Sequence, residues 1–339
     1  MYKNPVPPFY KISFIALFSL ILMVSFSTKE KPAVVTAFEL KEWIDFLASD
    51  EMKGRANGSP EMKIAADWIA EKFRGNGVKP LFQNGSYTRD YTFTSRQRTF
   101  QERNVAGIIE GTDPSLKGQY IVISAHFDHV GIGQGAKPDS IRNGADDNAS
   151  GVCTMIGIAR TITLSRMKPG RTLIFAAFSG EEAGMRGSRN FVTDPPVPLK
   201  NIYVNINFEM TGHSEYLGKN RYYMTGCSFS DLDDRIAEFT KGTGYQLIDT
   251  IPLTDMLFSA SDNIAFSRLS VSEGITKGIP SGTFATSALA DYLHGVDDEA
   301  ELFDFENMEG LVSHFSDLII WLSNNKSDIK WTDPKYSGL

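Results

Sequence analysis

The stretch Tyr120-Ile121-Val122-Ile123-Ser124-Ala125-His126-Phe127-Asp128-His129 decides how the rest of the chain is read. Its first half carries the β-branched composition of a strand, Tyr120–Ala125, and it then breaks into imidazoles and a carboxylate. Two more runs end the same way. Thr172–Phe178 leads into Ser179-Gly180-Glu181-Glu182, and Tyr203–Phe208 closes on Asn207-Phe208-Glu209. A further strand is predicted over Arg103–Gly111, and helical stretches near Gly151–Thr163 and Asp231–Lys241 fall between or after the strands. Strands alternating with helices predict an α/β fold, a largely parallel sheet covered on both faces. Ahead of the first strong strand the pattern is helical: Phe38, Leu40, Trp43, Ile44 and Leu47 recur at helical spacing, and the turn Gly54-Arg55-Ala56-Asn57-Gly58-Ser59-Pro60 opens a second amphipathic helix.

With 339 residues, 42% hydrophobic and 22% charged, the chain has the profile of a globular protein with a substantial core, which excludes disorder. No repeat, low-complexity tract or Pro/Gly/Ser linker divides it, so residues 34–330 are expected to form a single domain. Residues 1–27 read differently. Lys3 and Lys11 precede an apolar run, Ile12–Ser27, that falls short of the ~20 residues a spanning helix needs, and Ser25-Phe26-Ser27 has the small-x-small form of a cleavage site. This predicts an export signal, with a periplasmic or extracellular mature chain; an uncleaved anchor is the alternative. Cys153 and Cys227 are the only cysteines. Cys153 sits in an apolar helical stretch, where a free buried thiol is expected, and an exported location leaves a pairing of the two open. A net charge of −7 offers no basic patch for phosphates and argues against nucleic acid.

In open α/β sheets, ligands bind beyond the carboxyl ends of the strands, where these polar clusters fall. The loop Gly144-Ala145-Asp146-Asp147-Asn148-Ala149-Ser150-Gly151 and the later Tyr292-Leu293-His294 add two more. Taken singly, a His-x-Asp is usually a structural pair, Glu-Glu a solvated face and Asp-Asp-Asn a helix cap. Their conjunction at strand ends is what counts. Imidazoles and carboxylates suit Zn²⁺. In His126-x-Asp128 both side chains project to one face of an extended chain, so Asp128 can hold the imidazole from behind. Glu181 and Glu182 would point oppositely on extended backbone, leaving one to bind metal and its neighbour to face a water. His129, His213 and His314 lack such a setting and receive no metal role, although His129 is near enough to line the cleft.

The chain resembles the M28 family of metallopeptidases over roughly residues 37–325. The resemblance includes the early Leu47-Ala48-Ser49-Asp50-Glu51, Gly54-Arg55 and Gly58-Ser59, and the later Ser261-Asp262-Asn263 and Gly278-Ile279-Pro280, in the family's order. It implies a mixed β-sheet sandwiched by helices and a co-catalytic pair of zinc ions. His126 and Glu209 resemble ligands of one zinc, Glu182 and His294 those of the other, Asp147 the bridging carboxylate and Glu181 the general base. The family's non-prolyl cis peptide would fall at Asp147–Asn148. Glu209 stands where Asp is frequent, which leaves the metal beside His126 less defined. Asn263 stands where His is frequent, which could alter the cleft near His294.

The resemblance implies peptide-bond hydrolysis at a substrate's free N-terminus. Glu181 would take the proton of the attacking water and return it to the leaving amine. Glu181 and Glu209 are candidates for holding the α-amine, and Tyr292 is either an oxyanion donor or a core tyrosine. Pocket residues are expected in the loops 212–230 and 250–287. Two other readings share the fold: a glutaminyl cyclase, and a non-catalytic receptor or scaffold. The cyclase reading lacks the Trp expected before the last His, where this chain has Leu293. The scaffold reading meets a competent residue at every ligand position.

Overall fold

In the strand Tyr120–His126, alternate residues go to opposite faces: Ile121, Ile123 and Ala125 enter one hydrophobic cluster and Val122 the other. This is the period-2 consequence of the pleat in a strand covered on both sides. The computed structural model describes Met1 and residues 34–133, 140–249, 254–269, 278–287 and 290–333. Apart from Met1, the stretch 1–27 read as an export signal lies outside the described residues, as do parts of 250–287. Residues 33–339 form one compact unit.

In chain order the elements are helices α1 (Ala37–Leu47) and α2 (Pro60–Gly75), then strands β1 (Lys79–Pro80), β2 (Thr88–Ser95), β3 (Arg98–Ile109), β4 (Tyr120–His126), β5 (Gly131–Ile132) and β6 (Ile141–Arg142). Helix α3 (Gly151–Leu164), β7 (Thr172–Phe178), α4 (Arg186–Thr193), β8 (Ile202–Phe208), β9 (Arg221–Met224), α5 (Leu232–Thr240) and β10 (Gln246–Ile248) follow. The chain then forms α6 (Thr254–Leu257), α7 (Asn263–Ser267), β11 (Ser281–Ala285) and α8 (Phe305–Asn324). The main sheet has the order β1-β3-β7-β4-β8-β11-β9-β10, with β2 paired to β3. Its centre, β7, β4, β8 and β11, is parallel, and β3 and β9 join it antiparallel. The mixed, largely parallel sheet is as expected. Helices α1, α2, α3 and α8 cover one face, and α4 and α7 the other.

Parallel order puts the carboxyl ends of β4, β7 and β8 on one edge, which brings His126, the Glu181 turn and Glu209 together. Strands β3, β4, β7 and β8 and the helices over Ala37–Phe73, Gly151–Thr163 and Asp231–Lys241 lie where the sequence predicts, within a few residues, whereas β11 at the sheet centre is not among the predicted strands. Phe38 is an exception: it is 69% exposed, while Leu40, Trp43, Ile44 and Leu47 are buried. Helix α8 is not part of the strand–helix alternation, yet Met308, Leu311, Val312, Phe315, Leu318, Ile319 and Leu322 are buried along it at helical spacing. Strand β2, Thr-Arg-Asp-Tyr-Thr-Phe-Thr-Ser, is a polar edge strand with a single buried residue, Tyr91, and so carries little apolar signal. Both cysteines are free and buried.

One buried cation wires the site edge together. Arg55 is fully buried and donates to the carbonyl oxygens of Leu47 at the end of α1, Phe127 beyond β4, and Asn143 and Gly144 before α3. Its planar fork serves four acceptors that a lysine ammonium could not reach from one position. Replacing Arg55 with Leu orphans those carbonyls, and unfolding stability is expected to fall by about 3–5 kcal/mol in denaturant titration. Arg55→Lys should recover less than half of that loss. A loss under about 1 kcal/mol in Arg55→Leu would refute this role.

Candidate metal centre

His126 closes β4 and is wholly buried. Its Nδ1 lies 3.1 Å from the backbone oxygen of Asp128 and 3.7 Å from that residue's carboxylate. The carbonyl, rather than the carboxylate, therefore holds the ring from behind. The Asp128 carboxylate instead accepts from the backbone N–H of Glu181 (3.0 Å), the N–H of Glu182 (3.2 Å) and the Asn57 amide (2.8 Å). It fixes the turn after β7. That turn departs from the extended backbone expected at Glu181–Glu182: the N–H groups of Gly184 and Met185 both return to the Glu181 carbonyl. Of the two glutamates only Glu182 enters a set of donor atoms, although both line the same cleft.

Asp147 sits in the wide turn before α3, just ahead of a cis Asp147–Asn148 bond, as the resemblance implied. The Asn148 amide donates to the Phe208 carbonyl and accepts from the N–H groups of Gly151 and Met210, which ties this turn to the end of β8. Asp298 accepts from the N–H groups of Asp146 (2.7 Å) and Asp147 (3.1 Å). Burial and the adjacent Asp146 push its pKa up to about 7.

Two sets of donor atoms meet at Asp147. On one side, His126 Nε2 is 3.2 Å from Asp147 Oδ1 and 3.6 Å from Glu209 Oε1. The extra methylene of Glu209 therefore does not take it out of reach. On the other side, His294 Nε2 is 3.1 Å from Asp147 Oδ2 and 3.0 Å from Glu182 Oε1. His129 joins this second set, with Nδ1 3.2 Å from Glu182 Oε1 and 3.6 Å from Asp147 Oδ2. Within each set the donor atoms all lie within 4.8 Å of one another.

These contacts fit metal better than they fit hydrogen bonding. His126 Nε2, Asp147 Oδ1, Glu182 Oε1 and both ring nitrogens of His129 are buried without a hydrogen-bond partner. Buried polar atoms are rarely left so. Tetrahedral zinc with ligands about 2.0–2.1 Å away separates neighbouring donors by about 3.3 Å, close to the spacings here. His129, Asp298 and Arg55 have no metal or supporting role in the sequence reading. For His129 the signal was its place directly after Asp128; Arg55 stands in the Gly54-Arg55 pair of the resemblance without a role attached to it, and Asp298 belongs to none of the quoted motifs.

The electrostatics are those of a carboxylate crowd. Burial would depress the His126 imidazole, but Asp128, Asp147 and Glu209 outweigh it and raise its pKa well above the ordinary range. His294, half-buried between Asp147 and Glu182, is raised to about 10. Glu181 belongs to neither donor set; burial, reinforced by Glu209 and Asp262, raises its pKa well above the usual carboxylate range. It opens onto a cleft of about 410 Å³ that Asp147, Glu182, Glu209 and His294 also line. Apolar walls come from Met185, Met210, Tyr223, Leu257, Ala285 and Leu293, so the expected loops contribute along with residues outside them. Asn263 is not among the lining residues. It faces the core, donating to the Phe258 carbonyl and accepting from Thr283. Tyr292 is no oxyanion donor either, since its hydroxyl donates to Asp146 Oδ2 at 2.7 Å.

The family model of peptidase family M28 matches residues 104–318, and the chain belongs to that family. It is 26% identical over 256 residues, 73% of its own length, to leucine aminopeptidase 1 of Trichophyton rubrum. The chain spans 64% of that relative's length. Among solved structures, it resembles a leucine aminopeptidase precursor from Bacteroides thetaiotaomicron with TM-score 0.63 and 18% identity, covering 86% of this chain and 98% of the other. A zinc aminopeptidase from Bacillus subtilis gives TM-score 0.62 and 16% identity, covering 87% and 97%. At these identities the two structures speak to the fold.

The Tyr292 hydroxyl joins Ser287 and the Gly212 N–H on the fully buried Asp146, next in sequence to Asp147. Tyr292→Phe removes one donor to a buried carboxylate and is expected to lower stability by about 2 kcal/mol in thermal or denaturant unfolding. An unchanged midpoint would mean that Asp146 does not depend on this contact.

Proposed function

We propose that the chain is a zinc-dependent aminopeptidase with two metal ions sharing Asp147. The observation that carries this reading is the pair of donor sets meeting on that one carboxylate, with Glu181, a member of neither set, lining the same cleft. His126, Asp147 and Glu209 would hold one ion, and Asp147, Glu182 and His294 the other. Bound zinc lowers the pKa of water towards about 7 and polarises the scissile carbonyl.

The chain's own residues supply the rest. Glu181 takes the proton of the attacking water and hands it to the leaving amine, a role suited to a buried carboxyl with raised proton affinity. Asp128 keeps the Glu181–Glu182 turn in place through the two backbone N–H bonds. Glu181 and Glu209 present carboxylates to the substrate's α-amine. Beyond them the apolar walls, Met210, Tyr223, Leu257, Ala285 and Leu293, favour an uncharged N-terminal side chain of leucine size. The names of the relatives point the same way.

The test is turnover of aminoacyl-p-nitroanilides with metal content measured on the same samples. Roughly two zinc ions per chain are expected, in wild type and in Glu181→Gln alike. The mutation should lower kcat about 100- to 10,000-fold. Leucyl and methionyl substrates should outrun aspartyl and lysyl ones. Undiminished turnover in Glu181→Gln, or equal cleavage of N-acetylated peptides, would contradict the proposal.

Residues 1–27 are proposed to export the chain, on the strength of the Ile12–Ser27 run and the Ser25-Phe26-Ser27 site. Among the described residues no helix is long and apolar enough to cross a membrane. N-terminal sequencing of the protein from its host should find a chain beginning after Ser27 outside the cytoplasm; an intact Met1 start in the cytoplasm would overturn this.

A further inference from the structure

His129 is wholly buried, and the ordinary account of a buried histidine does not fit it. His314 shows what that account looks like: its Nε2 lies 3.1 Å from the Tyr222 hydroxyl, its ring stacks on Tyr245 at 4.2 Å, and burial lowers its pKa to about 4. His129 has no such partner on either nitrogen. A buried nitrogen left unpaired keeps the cost of its desolvation, so the arrangement calls for a group that would satisfy it.

The ring is fixed where it stands. The His129 N–H donates to the Arg55 carbonyl at 3.2 Å, and the residue forms a bridge with Ala56. Its imidazole lies against the backbone of Gly144, which has φ +61°; a Cβ there would come within 2.5 Å of His129 Cγ. Arg55 holds the Gly144 carbonyl from the far side. So placed, Nδ1 faces Glu182 Oε1 at 3.2 Å and Asp147 Oδ2 at 3.6 Å, but makes a hydrogen bond to neither. The same two oxygens face His294 Nε2 at 3.0 and 3.1 Å. The two imidazoles meet edge to face, with centroids 5.5 Å apart and planes at 69°. Two nitrogens and two oxygens thus surround one point, and an edge-on pair of rings can direct a lone pair at it from each side.

We propose that His129 is a metal ligand: through Nδ1 it joins Asp147, Glu182 and His294 as the fourth protein ligand on that side of the centre. The proposal rests on the metallopeptidase reading above and adds to it an asymmetry. Four protein donors close the coordination of one ion, as in structural zinc sites, whereas His126, Asp147 and Glu209 leave a position open on the other. The open position, and with it the substrate's reacting end, belongs on the His126 side. The closed site should also fill first as metal is added.

Only five histidines occur in the chain, so each can be followed by NMR. The experiment uses full-length mature protein labelled with ¹⁵N-histidine and loaded with ¹¹³Cd²⁺. Three imidazoles, those of His126, His129 and His294, should show ¹¹³Cd–¹⁵N coupling, while His213 and His314 serve as uncoupled controls. His129→Ala should keep two coupled imidazoles, and its first-bound cadmium should weaken at least about 10-fold. Wild type in which only His126 and His294 are coupled would overturn the proposal and leave the two-metal reading standing. Wild type that binds no cadmium would overturn both. The wild-type spectrum decides the question even where the variant fails to fold.

Discussion

Everything at the carboxyl edge of the sheet depends on Asp147 presenting one oxygen to each side. Oδ1 faces His126 and Oδ2 faces His294, at 3.2 and 3.1 Å. Around this carboxylate stand Glu181, Glu182 and Glu209, all lining one cleft. Like charges held so close repel unless cations or protons intervene. The raised proton affinity of His126, His294 and Glu181 is the protein's response when only its own groups are counted. Divalent metal would resolve the same conflict more fully, since it satisfies the carboxylates and the orphaned nitrogens together.

The scaffold holding this crowd is made mostly of backbone contacts. Asp128 grips the N–H groups of Glu181 and Glu182, Asp298 those of Asp146 and Asp147, and Asn148 binds the end of β8. Arg55, from a turn far earlier in the chain, clamps the carbonyls beneath two of these loops. The donors therefore come from five separate segments, and those of His126, Asp147, Glu182 and Glu209 are each fixed by a bond that involves main chain. Such outer contacts set the orientation on which ligation and catalysis depend.

The sheet was legible because β4, β7 and β8 are buried on both faces and so read as largely apolar runs, broken inside only by Ser124 in β4 and by Asn205 and Asn207 in β8. Their polar ends marked the site because His, Asp and Glu recur together at the carboxyl ends of three strands, a conjunction that the structural reading of each pair alone does not explain. The turn at Glu181–Glu182 was read as extended because sequence does not show the Asp128 bonds that bend it. Tyr292 is open in sequence between an oxyanion donor and a core tyrosine, and Asn263 is tied to the cleft only because His is frequent at its position in the family; in the structure each spends its polar atoms on a buried partner. His129 escaped for the opposite reason. Its meaning lies in three-dimensional convergence with Glu182 and His294, residues distant along the chain. Asp298 and Arg55 act through main-chain groups; the Gly54-Arg55 pair marks the position of Arg55, but nothing in sequence shows which carbonyls it reaches.

Anomalous diffraction at the zinc edge, on crystals of the mature chain grown with zinc, tests the central claim most directly. The account predicts two peaks about 3.5–4 Å apart, one on each side of the Asp147 carboxylate. One would be bounded by His126 and Glu209, the other by Glu182 and His294. A single peak remote from Asp147, or none at full zinc loading, would contradict it.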